Sequence, residues 1–466
     1  MVTGALRTSR PSEQGVDARG VLAFVDALES TPNIDPHSLI LLRHGHIVAQ
    51  GWWAPYAAAR PHLLYSLSKS FTSTAVGLAV AEGLLSLDDT VLSHFPELDA
   101  DITDPRSRRM RVRDIAAMAS GHLTDAIERA GAADRVDLVR GFLLVPPDAD
   151  PGTVFAYNQP CTFALGAIVA RASGQTLTEY LGPRLFEPLG ITDVGWQRDA
   201  SGRELAYSGL YATTDAVARL GLLYLQRGMW AGEQLLSPRW VEQATSRQVD
   251  NAQQNSEPDW QQGYGFQFWL ARHGYRGDGA YGQFCVVLPE HDVVLAMTGG
   301  THDMQAVLDA AWQHLLPALG TAGPSSAENE LAERLAHLVL PTVRAAASPA
   351  PDWHGFACAT TGTGPLTSVG VARTGAVWQV TLGGNDSSVV VELGNDGWAE
   401  SAPDDVPLAI SGGWTDPRTL RFDVVFTETP HRLRVTCDLS EVTADTRWVT
   451  EPLHPLSLSQ LRSPRR

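Results

Sequence analysis

The chain has 466 residues, a formal charge of −17 and a hydrophobic fraction of 44%, enough apolar material for a large core in about two or three domains. Such an acidic balance excludes nucleic-acid and anionic-membrane partners, which are held by basic surface. The arginine clusters, Arg106 to Arg113 and the terminal Arg462, Arg465 and Arg466, read as solvated loop and tail.

In chain order, residues 16–29 carry apolar positions at helical spacing and Pro32 stops them. The apolar run 38–42, the turn 43–46 and a second run to Trp53 predict a β-hairpin. Ser66 opens a segment of small and apolar residues that ends near Gly83, a helix apolar nearly all round and therefore interior. Residues 110–190 alternate helical patterns with Gly/Pro breaks, and 220–227 and 238–245 are also helical. The period then changes: 264–269, 281–288 and 293–297 read as consecutive antiparallel strands, followed by a helix over 304–316. Hairpin first and strands last predict an α/β fold of the α+β type, with a mixed sheet assembled from both ends of one domain, 1–320. A linker, 321–352, holds a helix near 329–340 and an Ala/Ser/Pro stretch at 345–351. Beyond it, 353–466 reads as a small all-β domain with strands that include 377–382, 388–393, 420–426 and 433–439.

Cys161, Cys285, Cys358 and Cys437 are scattered without a Cys-x-x-Cys pair and read as buried free thiols. No apolar run follows the N-terminal arginines and none elsewhere reaches the length of a membrane span, so a cytoplasmic location is expected. The pair in His44-Gly45-His46 has no cysteine or carboxylate company, and Gly299-Gly300-Thr301 lacks the context of a dinucleotide loop, so neither metal nor cofactor is expected.

The chemistry concentrates at Lys69, the only lysine of the chain. An ammonium, unlike a guanidinium, can lose its proton when desolvated. Ser66 stands three residues earlier, on the same face of a helix, so the pair reads as a general base beside a nucleophile. The alternative is that Ser66 caps the helix and Lys69 lies on its surface, in a first turn where the helix dipole disfavours a cation.

Three further segments give this pair company. Tyr65-Ser66-Leu67-Ser68-Lys69-Ser70-Phe71, Met118-Ala119-Ser120-Gly121-His122, the block Pro151-Gly152-Thr153-Val154-Phe155-Ala156-Tyr157-Asn158-Gln159 and Leu185-Phe186-Glu187-Pro188-Leu189-Gly190-Ile191 together resemble, over residues 10–318, the serine β-lactamase and penicillin-binding-protein superfamily, in particular its class C-like esterases and peptidases. The resemblance implies a β-lactamase-like domain with a central antiparallel sheet flanked by a helical region. It makes Ser66 the nucleophile and Lys69 and Tyr157 the proton-handling pair, each expected to lower the other's pKa, with the identity of the base left open. Gln159 stands where the family has asparagine, which puts its contact to a substrate carbonyl in doubt. The third family element, a Lys/His-Thr/Ser-Gly strand, has its counterpart in Gly277-Asp278-Gly279-Ala280, without the cation. The glycines let a substrate lie against the strand, so the N–H groups of Ser66 and Ala280 form the expected oxyanion hole. Arg276 is the candidate replacement for the missing cation, although period-two alternation leaves open whether it or Gly277 points inward. His62, His122 and His273 have no part in this scheme.

The expected activity is hydrolysis of a small ester or amide through an acyl-serine. Trp52-Trp53 and the aromatics of 264–269 favour an uncharged acyl or alkyl group. The alternatives are a β-lactamase, D,D-peptidase or D-aminopeptidase-type amidase, an acyltransferase, and a weakly catalytic binding protein. The C-terminal domain is open to three roles: covering the cleft, self-association into a homo-oligomer, or stabilisation alone.

Overall fold

The computed structural model describes residues 4, 6–348, 353, 355–375, 377–395 and 397–464. Positions 349–351 of the Ala/Ser/Pro stretch, and Arg465 and Arg466, lie outside the described residues.

A seven-stranded sheet joins the two ends of the first 320 residues. The hairpin strands Pro36–Arg43 and His46–Trp52 abut Val293–Gly299, and Gln283–Leu288, Tyr275–Gly279 and Trp269–Leu270 follow in that order, with Arg7–Thr8 on the other edge. Every pairing is antiparallel except that of Arg7–Thr8 with His46–Trp52. In register, Leu295 faces Leu41 and Val294 faces Leu42.

These strands read as continuous apolar runs because both faces of the sheet are covered. Alternate residues enter separate cores. Ile40, Leu42, Val287, Val294 and Ala296 pack with the helical region. Leu39, Leu41, Val286, Leu288 and Leu295 pack with the helices Ala18–Ser30 and Met304–Ala310. The helix Ser68–Ala81 lies deep in the first of these cores, buried on every side from Ser68 to Ala79.

One predicted strand is not formed. Within 264–269 only Trp269 enters a strand, because Gln267 takes a left-handed φ of 65° and the chain doubles back, with Gly265 N–H donating to the Phe268 carbonyl at 2.8 Å. The Gln267 side chain explains the bend: its amide donates to the Ala116 carbonyl and accepts from Thr162 Oγ1, at 2.8 and 2.6 Å. The apolar pattern marked burial, and buried polar bonds decided the backbone.

After the helix Ser325–Ala336, which tucks Ala327 and Leu331 into the second core, a ten-stranded sheet runs from Gly355–Gly362 to Thr443–Thr450. Its first and last long strands pair in parallel, Thr361 beside Asp445, and the sheet curls around a core that includes Val369, Val380, Val391, Ile410, Phe422 and Val435. Strands here alternate, buried with exposed positions in Ser388–Glu392 and buried with half-buried ones in Arg432–Asp438, the pattern of a sheet with one dry face. All four cysteines are free. Cys161, Cys285 and Cys437 are buried, and Cys358 is half-buried. Among the described residues no helix is long and apolar enough to cross a membrane.

Candidate active site

Ser66 sits in the tight turn Tyr65–Leu67 that leads into Ser68–Ala81, and Lys69 follows one turn later. The surface alternative for the lysine does not describe this turn. Lys69 is 1% exposed, Ser66 is half-buried, and the cap of the helix is Leu67, without a side-chain bond. The peptide that presents Ser66 is held at its carbonyl end: Ser68 Oγ donates to the Tyr65 carbonyl at 2.5 Å and accepts from Leu210 N–H at 3.0 Å. Tyr65 has a φ of 46°, in the left-handed region that non-glycine residues seldom occupy.

Lys69 Nζ reaches three oxygens: Ser66 Oγ at 3.0 Å, Gln159 Oε1 at 2.7 Å and the Tyr207 carbonyl at 2.8 Å. The last two can only accept. A neutral amine has two N–H groups for those two acceptors, and its lone pair is then left facing Ser66, whose hydroxyl becomes the donor. Burial favours that neutral form and brings the Lys69 pKa down to about 7, against the carboxylates of Asp125 and Asp278, which favour the ammonium.

Tyr157 completes the cluster from the loop before the helix Gln159–Ser173. Its ring lies 4.7 Å from Lys69 Nζ and stacks on Trp269 with centroids 5.1 Å apart. The expected mutual lowering of the two pKa values is not found. Burial pushes the Tyr157 phenol well above its ordinary value, reinforced by Asp278, and its hydrogen bond to Ser66 opposes this only in part. The ammonium meets the ring face, and desolvation governs both groups. At neutral pH, then, Tyr157 keeps its proton while Lys69 exchanges its own.

Gln159 is brought to the site, but its side-chain oxygen is taken by Lys69, and its N–H donates to Asp125 Oδ1 at 3.1 Å. Asn158 is spent on structure: its Oδ1 accepts from Ala126 N–H and its Nδ2 donates to Ser120 Oγ.

Gly277 and Gly279 lie against the Ser66 turn. A Cβ on Gly277 would stand 2.3 Å from Ser70 Oγ, and one on Gly279 would stand 2.1 Å from the Leu64 carbonyl and 3.1 Å from Ser66 N. Only glycine allows this approach, which brings the next residue, half-buried Ala280, to the Ser66 turn. Arg276 does not replace the missing cation. With Gly277 turned to the helix, Arg276 is on the opposite face, fully buried, ion-paired with Asp278 at 2.9 Å, bonded to the Asp259 carbonyl and packed on Trp260. A guanidinium so enclosed has no path to a substrate carboxylate.

Three participants escaped the sequence reading: Asp125, the Tyr207 carbonyl and Asp278 as an electrostatic neighbour. A backbone carbonyl has no sequence signature, and Asp125 belongs to no repeated spacing. Trp269 reaches the site through Tyr157, whereas Trp53 lies in the core behind the sheet, with Nε1 donating to Glu29. The histidines set aside have structural partners: His122 bonds Ser120 Oγ and donates to the Val145 carbonyl, His62 bonds His37, and His273 lies edge-on to Trp312. His44 bonds Gln14 and His46 donates to the His44 carbonyl.

A half-buried serine with a buried lysine in Ser-x-x-Lys spacing, beside a tyrosine and between a helical region and a glycine-bearing strand, defines a class of serine-dependent acyl-transfer protein. The sequence model of the Beta-lactamase family matches residues 27–318, and the chain belongs to that family; it is a serine hydrolase. Among curated relatives it is similar to the 6-aminohexanoate-dimer hydrolase of Paenarthrobacter ureafaciens, 26% identical over 55% of this chain and 71% of that protein. It is also similar to the esterase EstB of Burkholderia gladioli, 31% identical over 40% of this chain and 54% of that protein. Among solved structures, SurE with D-Leu shares the fold over 85% of this chain and 91% of its own, at a TM-score of 0.51 and 20% identity.

Proposed function

We propose that the protein hydrolyses a small ester or amide through an acyl-serine on Ser66. The observation that carries this reading is Lys69 Nζ, buried, 3.0 Å from Ser66 Oγ, with its other hydrogen bonds filled by two obligate acceptors. Lys69 takes the Ser66 proton as Oγ attacks the carbonyl carbon, and the N–H groups of Ser66 and Ala280 receive the oxyanion. The proton passes from the Lys69 ammonium to the leaving oxygen or nitrogen through the Tyr157 hydroxyl, which takes up one proton as it hands on its own and so stays protonated throughout, as its high pKa requires. Water then repeats the sequence on the acyl-enzyme, with the proton returning to Ser66.

An uncharged acyl group fits this site better than a peptide carboxylate. Arg276, in the third element, is enclosed with Asp278, and the wall beside Tyr157 is the indole of Trp269. The similarity to a 6-aminohexanoate-dimer hydrolase and to an esterase supports hydrolysis of a small substrate without choosing between ester and amide. The test is intact mass after exposure to a small fluorophosphonate. A single adduct on the wild type, absent from Ser66→Ala, is expected, followed by turnover of short-chain p-nitrophenyl esters; an unreactive wild type overturns the reading.

A further inference from the structure

Among the hydrogen bonds between the C-terminal sheet and the first domain, three are made by the hydroxyls of two tyrosines, and each tyrosine is the chain neighbour of one proposed oxyanion donor. Tyr65 precedes Ser66 and Tyr281 follows Ala280. Both have left-handed backbones, with φ of 46° and 68°, so both turns depend on outside contacts to stay as they are. The Ser66 N–H lies in the peptide plane that begins at Tyr65, and any rotation about the Tyr65 backbone turns it.

Proton bookkeeping sets the direction of every bond at Tyr65. His431 Nδ1 lies 3.3 Å from the Thr450 carbonyl, which can only accept, so Nδ1 carries the hydrogen. Burial holds the ring neutral, with its pKa down to about 3. Nε2 is therefore an acceptor, and the Tyr65 hydroxyl, 3.0 Å away, donates to it. The same hydroxyl accepts from Leu453 N–H at 3.4 Å. Tyr281 donates to the Glu451 carbonyl at 2.7 Å, and the three rings meet edge to face, Tyr65 with Tyr281 at 5.8 Å and with His431 at 5.9 Å.

We propose that the C-terminal sheet is part of the catalytic apparatus through His431, a positioning residue that, with the backbone of residues 450–453, fixes Tyr65 and Tyr281 and so aims the Ser66 and Ala280 N–H groups. This rests on the reading of Ser66 as the nucleophile. His431 touches no substrate; it acts through the hydroxyl of Tyr65.

The test uses full-length protein, with fluorophosphonate labelling and ester turnover measured together. His431→Leu removes the acceptor and is expected to lower kcat and the labelling rate by about 10-fold to 100-fold while KM moves by less than about twofold. His431→Gln, which keeps an acceptor, recovers most of the loss. Tyr65→Phe matches His431→Leu, and the double variant loses no more than either. Tyr56→Phe serves as the control: it deletes a different bond across the same interface, from the Tyr56 hydroxyl to the Thr429 carbonyl, and should lower thermal stability with kcat unchanged. If His431→Leu does not fold, Tyr65→Phe and His431→Gln carry the same comparison. A His431→Leu or Tyr65→Phe protein that labels and turns over like the wild type overturns the proposal while the acyl-serine reading stands. A wild type that takes no adduct overturns both.

Discussion

Lys69 and Arg276 are both sealed from solvent, 1% and 0% exposed, and both bear on Tyr157, yet the fold treats them in opposite ways. Arg276 is given a carboxylate, Asp278, at 2.9 Å, and a guanidinium keeps its charge in any protein. Lys69 is given neutral partners, a hydroxyl, an amide oxygen and a backbone carbonyl, and its nearest carboxylates act only at a distance. Burial is common to the two; the partner decides whether a cation becomes a structural ion pair or a proton carrier. A side chain that can discharge, placed where its charge is costly, has the property that the proposed base requires.

The most severe way to break the comparison is to give the lysine site a cation that cannot discharge. Lys69→Arg is expected to fold but to lose about 10³-fold or more in kcat/KM, with fluorophosphonate labelling lost in parallel; retained activity would show that the proton leaves by another route. The converse is to strip Arg276 of its partner. Asp278→Asn leaves a buried guanidinium unpaired and should cost about 3–5 kcal/mol of stability by urea unfolding. An unchanged midpoint would mean that water reaches the pair. The pH profile sharpens the contrast further. With Lys69 near 7, kcat/KM should rise about tenfold per pH unit below that value and level above it, and Tyr157→Phe should keep this inflection while lowering the plateau.

The smallest effect concerns stability alone. The unfolded amine titrates at its ordinary 10.5 and the folded one near 7, so between those values the unfolded chain binds the extra proton. Stability contributed through Lys69 therefore rises across about pH 7 to 10.5 and is lowest below 7. Lys69→Met should be more stable than the wild type at pH 6 by a few kcal/mol, with the gap closing toward pH 10. Equal gaps at both pH values would show that the lysine is not desolvated.

Legibility followed sequence distance. The hairpin at 38–53, the interior helix after Ser66 and the pairing of Ser66 with Lys69 are local, carried by period and by a spacing of three. The strand expected at 264–269 failed because apolar spacing reports burial, while the bend at Gln267 is made by bonds to Ala116 and Thr162, more than a hundred residues away. The fate of Arg276 was undecidable from alternation, since one residue of register exchanges the two faces; the close approach of Gly277 to Ser70 settles it.

By itself, then, the sequence determined that a lone lysine stands one helical turn from a serine inside an apolar helix, and that glycines mark a strand for close approach. These are covalent and local facts. The tertiary structure alone decided that Lys69 has neutral partners, that Tyr157 is held protonated, that Arg276 is enclosed, and that a histidine from the C-terminal sheet grips the residue before Ser66. Each of these depends on desolvation and on which distant group fills a hydrogen bond, and neither exists until the chain has closed around the site.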